Sequence, residues 1–151
     1  MSVFNIFKIA SQGMTAQRER LEAASANLAN SNSTRSANGK PYQRRDVVFT
    51  AQELPGSWSA AASQTGLLDS PQAPMQGVKS EVVVAKDDNF VTQYQPGHPD
   101  ADANGYVRLP DVDPLEETVN MLSAARSFEA NATVFNTAKE IARVSLSLGD
   151  A

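Results

Sequence analysis

Along the first 28 positions a seam recurs at alternating intervals of four and three: Phe7, Ala10, Met14, Gln17, Leu21, Ala24 and Leu28. That spacing is a heptad pattern, and it predicts a helix from a cap at Ser2 to about Leu28. A second strip, Ile6, Ile9, Gly13 and Ala16, runs beside it over the first half, so burying both takes more than one neighbour. Gly13 costs ~1 kcal/mol of helix propensity relative to Ala, which marks either a close helix approach or a tolerated weakness. The C-terminal pattern is more sharply punctuated. Asp113 fits an N-cap, Pro114 the first helical position and Glu116 a capping box, while Gly149 supplies the stop. Between them Met121, Phe128, Phe135 and Ala142 recur every seven residues, with Ala125, Ala132 and Leu146 alongside and Val134, Ile141 and Leu148 as another seven-residue row. At 1.5 Å per residue the two helices span ~40 Å and ~50 Å, too long to be covered by anything the middle of the chain can build.

Between the helices the period changes. Ser31–Lys40 is polar, Val47-Val48-Phe49 reads as a short strand, and Val78–Ala85 is β-branched. Asp87-Asp88-Asn89 would turn Val78–Ala85 into Phe90–Gln95 as a hairpin, and Gly105–Leu109 is a further short strand. From residue 54 to 77 Ser, Ala, Gln, Gly and Pro predominate, with Trp58, Leu67, Leu68 and Met75 as the few apolar anchors, which predicts a flexible arm. The expected fold is therefore α+β and mainly α. Residues 1–32 and 113–151 supply two terminal helices that pair as a coiled coil, and residues 33–112 supply a small β-rich middle.

Composition narrows the function more than the fold. The 151 residues contain no cysteine, which excludes disulfides and thiolate metal sites. No apolar run approaches the ~20 residues needed to span a bilayer, and Met1–Ala10 does not read as a cleaved signal peptide. The net charge of −4 is unevenly spread: residues 1–45 hold seven basic and two acidic groups, residues 46–114 three and ten. The two halves can neutralise each other between neighbouring copies or within one chain. Scattered basic residues without interleaved aromatics disfavour nucleic acid. His98 is the only histidine, no glycine-rich phosphate loop is present, and no nucleophile stands beside a base. Neither an enzyme, a cofactor nor a small-molecule substrate is expected.

Two motifs remain. Asp100, Asp102, Asn104 and Asp111 follow the spacing of a calcium-binding loop, with Gly105 at its sixth place and Val107 at its eighth. Against it, the twelfth residue is Asp rather than Glu, Arg108 takes the ninth place, and Pro96, Pro99 and Pro110 exclude the flanking helices. A turn at Asn104-Gly105 is the plainer reading. The other motif is Asn27-Leu28-Ala29-Asn30, where the first helical pattern runs into Asn, Ser and Thr. These side chains compete for backbone hydrogen bonds, and Asn tolerates the left-handed conformation that ends helices. Two carboxamides beside an apolar seam are costly unless partnered, so either this helix end is exposed or the amides fix register against another helix. Arg126 and Asn131, inside the second apolar pattern, raise the same choice between exposure and register setting.

The Ser25-Ala26-Asn27-Leu28-Ala29-Asn30 signature resembles the N-terminal motif of the bacterial flagellar rod, hook and filament proteins. Further blocks that carry the resemblance are Ser2–Phe7, Thr15-Ala16-Gln17, Gly39–Tyr42 with Val47–Phe49, Tyr94–Pro99, Gly105-Tyr106-Val107, and Val119-Asn120-Met121 through to Leu148-Gly149. The stretch 51–77 carries no such block. The resemblance implies a structural subunit of the flagellar rod in the periplasm, exported without a cleaved signal peptide. It also implies assembly with further copies, with other rod proteins and with the export-gate adaptor FliE. Asn27, Leu28, Ala29 and Asn30 would then form an assembly motif. Phe7, Met14, Leu21, Leu28, Met121, Phe128, Phe135, Ile141 and Leu148 would make helix packing or interface contacts.

Overall fold

The computed structural model describes residues 3–36, 39–54, 76–85 and 89–149. Its elements are α1 (Val3–Ala29), β1 (Arg45–Glu53), β2 (Gln76–Val84), β3 (Phe90–Tyr94), β4 (Tyr106–Pro110) and α2 (Pro114–Gly149). The fold is α+β and mainly helical, with two long helices at the ends and a small antiparallel β region between. The expected Ser2 cap, the turn residues Asp87 and Asp88 and most of the expected arm, 55–75, lie outside the described residues. The arm's two ends are structured. Leu54 is buried, and Gln76 and Gly77 open β2.

Strand pairing departs from the expected hairpin. β2 pairs with β1, and β3 pairs antiparallel with β4 in a register from Phe90↔Pro110 to Tyr94↔Tyr106. The reason lies in the connection after β3. Asp102 Oδ1 accepts hydrogen bonds from the amides of Asn104 and Tyr106 at 2.9 and 2.8 Å, an Asx turn. Gly105 then takes φ +80°, a conformation that favours glycine, and its carbonyl accepts from Gln95 N at 2.8 Å. The chain is thus delivered back onto β3. β2 is held at its far end by Ala85 N donating to Arg44 O, just before β1 begins.

The chain divides into two compact units. A terminal unit takes Met1–Gln17, Phe49–Ser80 and Arg126–Ala151, and a central unit takes Arg18–Val48 and Glu81–Ala125. In the terminal unit the start of α1 and the end of α2 run antiparallel. Phe7 meets Phe135 edge to face with centroids 4.9 Å apart, and Gly13 faces the carboxamide of Asn131. Ala10, Ala16 and Ala138 are the buried residues of this seam. β2 lies close over α1, since a Cβ on Gly77 would strike the Gln12 side chain and stand 3.2 Å from Leu54 Cδ2.

In the central unit Ala23, Ala24 and Asn27 of α1, Val107 of β4 and Glu117 and Ala124 of α2 are buried. Small residues let helix backbones approach, so the deepest line on each helix runs through alanines rather than through the large side chains of the expected seam. Phe7, Met14, Leu21 and Leu28 flank that line half-buried, as do Met121 and Phe135. Ile141 and Leu148 are exposed, and Phe128 is 38% exposed.

Candidate functional site

The Asn27–Asn30 motif sits in the central unit, where α1 ends. Asn27 is only 1% exposed, so this part of the helix end does not face water. Its carboxamide reads the backbone of Arg45, the first residue of β1. Nδ2 donates to Arg45 O at 2.8 Å, and Oδ1 accepts from Arg45 N at 2.9 Å. Oδ1 also accepts from the Tyr42 hydroxyl at 2.9 Å. Asn27 thus acts as a one-residue strand partner, a role that neither exposure nor helix–helix register had described.

Asn30 closes the helix instead. Its Nδ2 donates to Ala26 O at 2.8 Å, Ser31 Oγ to Leu28 O and Ser33 Oγ to Asn30 O, each at 2.9 Å. These donors satisfy the carbonyls that a helix C-terminus leaves open. The left-handed ending expected from the Asn cluster is not used. Among the described residues no non-glycine has a positive φ. Leu28 is half-buried and Ala29 exposed.

One residue before Arg45, Arg44 gathers the acidic start of α2. Its Nη2 lies 2.9 Å from Glu116 Oε1 and 3.0 Å from Glu117 Oε1, and its Nε lies 3.5 Å from Asp46 Oδ1. Glu117 is 2% exposed, so this is a buried carboxylate with a cation beside it. Its Oε1 and Arg44 Nε approach their partners without aligned hydrogen bonds, so charge rather than directional bonding holds the pair. Burial works against the Arg44 charge, but the Glu116 hydrogen bond and the charges of Asp46, Glu117 and Glu116 outweigh it and raise its pKa. Burial also raises the Tyr42 pKa; Arg45 lowers it and Glu117 adds to the rise. α2 itself is capped as expected at Asp113, whose Oδ1 accepts from Leu115 N at 2.8 Å. Glu116, expected to complete a capping box, carries its carboxylate to Arg44.

The Arg44–Glu117 pair is the feature that sequence reasoning missed. Glu117 stands in the first turn of α2, where an acid also suits the positive end of the helix dipole. Its place seven residues before Ala124, Asn131 and Ala138 in succession was the signal that it lies on the buried line.

The candidate calcium residues do not converge. Asp100 Oδ2 accepts from Thr34 Oγ1 at 2.7 Å, and its Oδ1 lies 3.5 Å from Arg35 Nη2. Asp102 is spent on the turn, and Asn104 and Asp111 are exposed. Among the described residues no group of three or more acidic, His or Cys side chains could hold a metal ion. A cavity of about 690 Å³ opens beside this loop, lined by Thr34, Arg35, Lys40 and Pro41 and by the β3–β4 hairpin, with Arg35, Lys40 and Arg108 interspersed with Asp100 and Asp102. The charge asymmetry of the sequence is partly resolved within the chain. Arg35 reaches Asp100, and Arg44 reaches Asp46, Glu116 and Glu117.

Two terminal helices sealed by an Asn-rich end and a β-containing middle have counterparts among known proteins. Residues 7–35 match the family described as "Flagella basal body rod protein", and residues 103–148 match "Flagellar basal body rod FlgEFG protein C-terminal". Both ends of the chain are therefore those of a flagellar rod protein. Flagellar basal-body rod protein FlgC of Escherichia coli O157:H7 is 40% identical over 149 residues, covering 99% of this chain and 99% of the relative. FlgC of Salmonella typhimurium matches equally, at 40% over 99% of each chain. FlgC of Bacillus subtilis is 36% identical over 153 residues, again 99% of each. The chain belongs to the FlgC family of flagellar basal-body rod proteins.

Proposed function

We propose that the chain is a structural subunit of the proximal part of the flagellar rod. It polymerises through its terminal helices and transmits torque across the periplasm. Residues 1–32 and 113–151 form its coiled-coil region and 33–112 its β-rich middle. Its neighbours are further copies, other rod proteins and the adaptor FliE, and its role is architectural rather than catalytic. The observation that carries this reading is the outward face of α2. Val134, Ile141 and Leu148 recur every seven residues and are 50%, 58% and 74% exposed. A chain that stayed alone would rarely sustain so ordered an apolar row in water. On this reading Phe128, Ile141 and Leu148 meet neighbouring subunits, while Asn27 serves assembly by fixing where β1 starts.

Replacing Val134, Ile141 and Leu148 together with Ser tests it. The protein should keep its helical signal and melting behaviour, yet be missing from purified basal bodies, with motility lost. Normal incorporation of the triple variant would remove the basis for polymerisation through this face.

A further inference from the structure

In the terminal unit the buried line of the helix pair is made of Ala10 and Ala16 on α1 and Ala138 on α2, all at most 5% exposed. Alanines specify which faces meet but not which turns meet. Sliding one helix along the other by a turn replaces one methyl by another and changes buried area little. Asn131 breaks this uniformity. Seven residues before Ala138, it lies with its whole carboxamide across Gly13. A Cβ built on Gly13 would stand 2.8 Å from Nδ2, 3.1 Å from Cγ and 3.2 Å from Oδ1. Nδ2 stands closer than a real Cβ allows and Cγ and Oδ1 are tight, so a methyl added at Gly13 would displace the carboxamide from its present seat.

We propose that Gly13 and Asn131 are a notch and a knob that set the register of the antiparallel α1–α2 pair. A slip of one turn either way brings Asn131 against Ile9 and Ala10 or against Ala16 and Gln17. There a Cβ fills the volume that Gly13 leaves open. A polar side chain that specifies register in an otherwise permissive seam has precedent in coiled coils. The register so chosen is the one in which Phe7 meets Phe135. It also fixes how far along the helix pair the row Val134, Ile141 and Leu148 is displayed. This last consequence rests on the rod-subunit reading; the pin itself does not.

The test is a change of sign. Alanine in place of a helical glycine ordinarily stabilises a helix. Gly13→Ala in the full-length protein should instead lower the melting temperature by about 2–4 °C, the shift that a modest clash produces at this chain length. The same substitution in an Asn131→Ala background should raise it. Because the chain has no cysteine, Ser11→Cys and Thr133→Cys can carry a spin-label pair without interference. The otherwise unaltered protein should give one narrow distance distribution. Gly13→Ala and Asn131→Ala should each add a population displaced by about one helical pitch, ~5 Å. A Gly13→Ala protein that melts at or above the parent, or single distributions unchanged in both variants, overturns the pin. Rod incorporation is scored separately, so failure of the rod reading leaves a distinguishable result.

Discussion

The central and terminal units hold themselves together by different means. In the central unit the ties between elements are polar, and all but the Arg44–Glu117 ion pair are directional hydrogen bonds. Asn27 pairs with the Arg45 backbone, Tyr42 with Asn27, Arg44 with Glu116 and Glu117, Thr34 with Asp100, and Arg20 Nη2 with Asn120 Oδ1 at 3.0 Å. In the terminal unit the helix pair meets through alanines, an aromatic pair and one carboxamide against a glycine. Directional groups tolerate no substitution that changes their geometry. An apolar seam tolerates any side chain of suitable volume and gains from more surface to bury. The first kind of interior suits a part that must be the same in every copy. The second suits a part whose outer faces are to be covered.

The largest expected effect is on the charged cluster. Arg44→Ala leaves Glu117 buried without its cation, and urea unfolding should show a loss of ~3–5 kcal/mol. A loss below ~1 kcal/mol would mean that the central unit is not held by its ion pair, and the contrast would collapse. Next comes Asn27→Ala, which strands Arg45 N, Arg45 O and the Tyr42 hydroxyl, at a cost of about 2–3 kcal/mol in the same measurement. Asn27→Asp sharpens this, because a carboxylate cannot donate to Arg45 O and should rescue little. Phe135→Ala in the terminal unit should cost about 2 kcal/mol, less than for a fully buried ring. Phe135→Leu should restore most of it, as a seam without directional demands allows. A full loss in the leucine variant would give the terminal unit the specificity attributed to the central one.

The smallest effect concerns alkaline pH. The Tyr42 pKa is raised in the folded chain, by burial first, against Arg45 and with Glu117. Its contribution is therefore complete below the unfolded value of 10 and is lost as pH rises through the folded value. Stability measured from pH 9 upward should fall less steeply in Tyr42→Phe than in the parent. Parallel curves would remove Tyr42 from the central unit's polar ties.

What was legible beforehand divides along the same line. Both helices and the Asp113 cap follow from signals within one or two turns, and local signals survive folding. The cost of burying Asn27 was also legible. Its partner was not, because the Arg45 backbone lies 18 residues away and only folding brings it there. Asp100 to Asp111 matched a metal-loop spacing, but spacing does not say whether oxygens are free; Thr34 and Arg35 engage those of Asp100, and two backbone amides engage Oδ1 of Asp102. The expected β2–β3 hairpin failed because β-branched runs are interchangeable partners, and the Asx turn after β3 decided between them. The exposed heptad row of α2 was readable as apolar, but not as outward-facing.

Hydroxyls on α2 bear on what covering its outward face would cost. Thr118, Thr133, Thr137 and Ser145 each donate to the carbonyl four residues back, and Ser147 to the carbonyl of Val144. Near the row Val134, Ile141 and Leu148, the hydroxyl protons of Thr137 and Ser145 are thus already engaged with the helix's own backbone. An approaching surface has fewer water-bound donors to strip away, so the desolvation toll is smaller than the composition suggests. A helix can in this way carry hydroxyls beside an apolar row that would not be stranded if the row were covered.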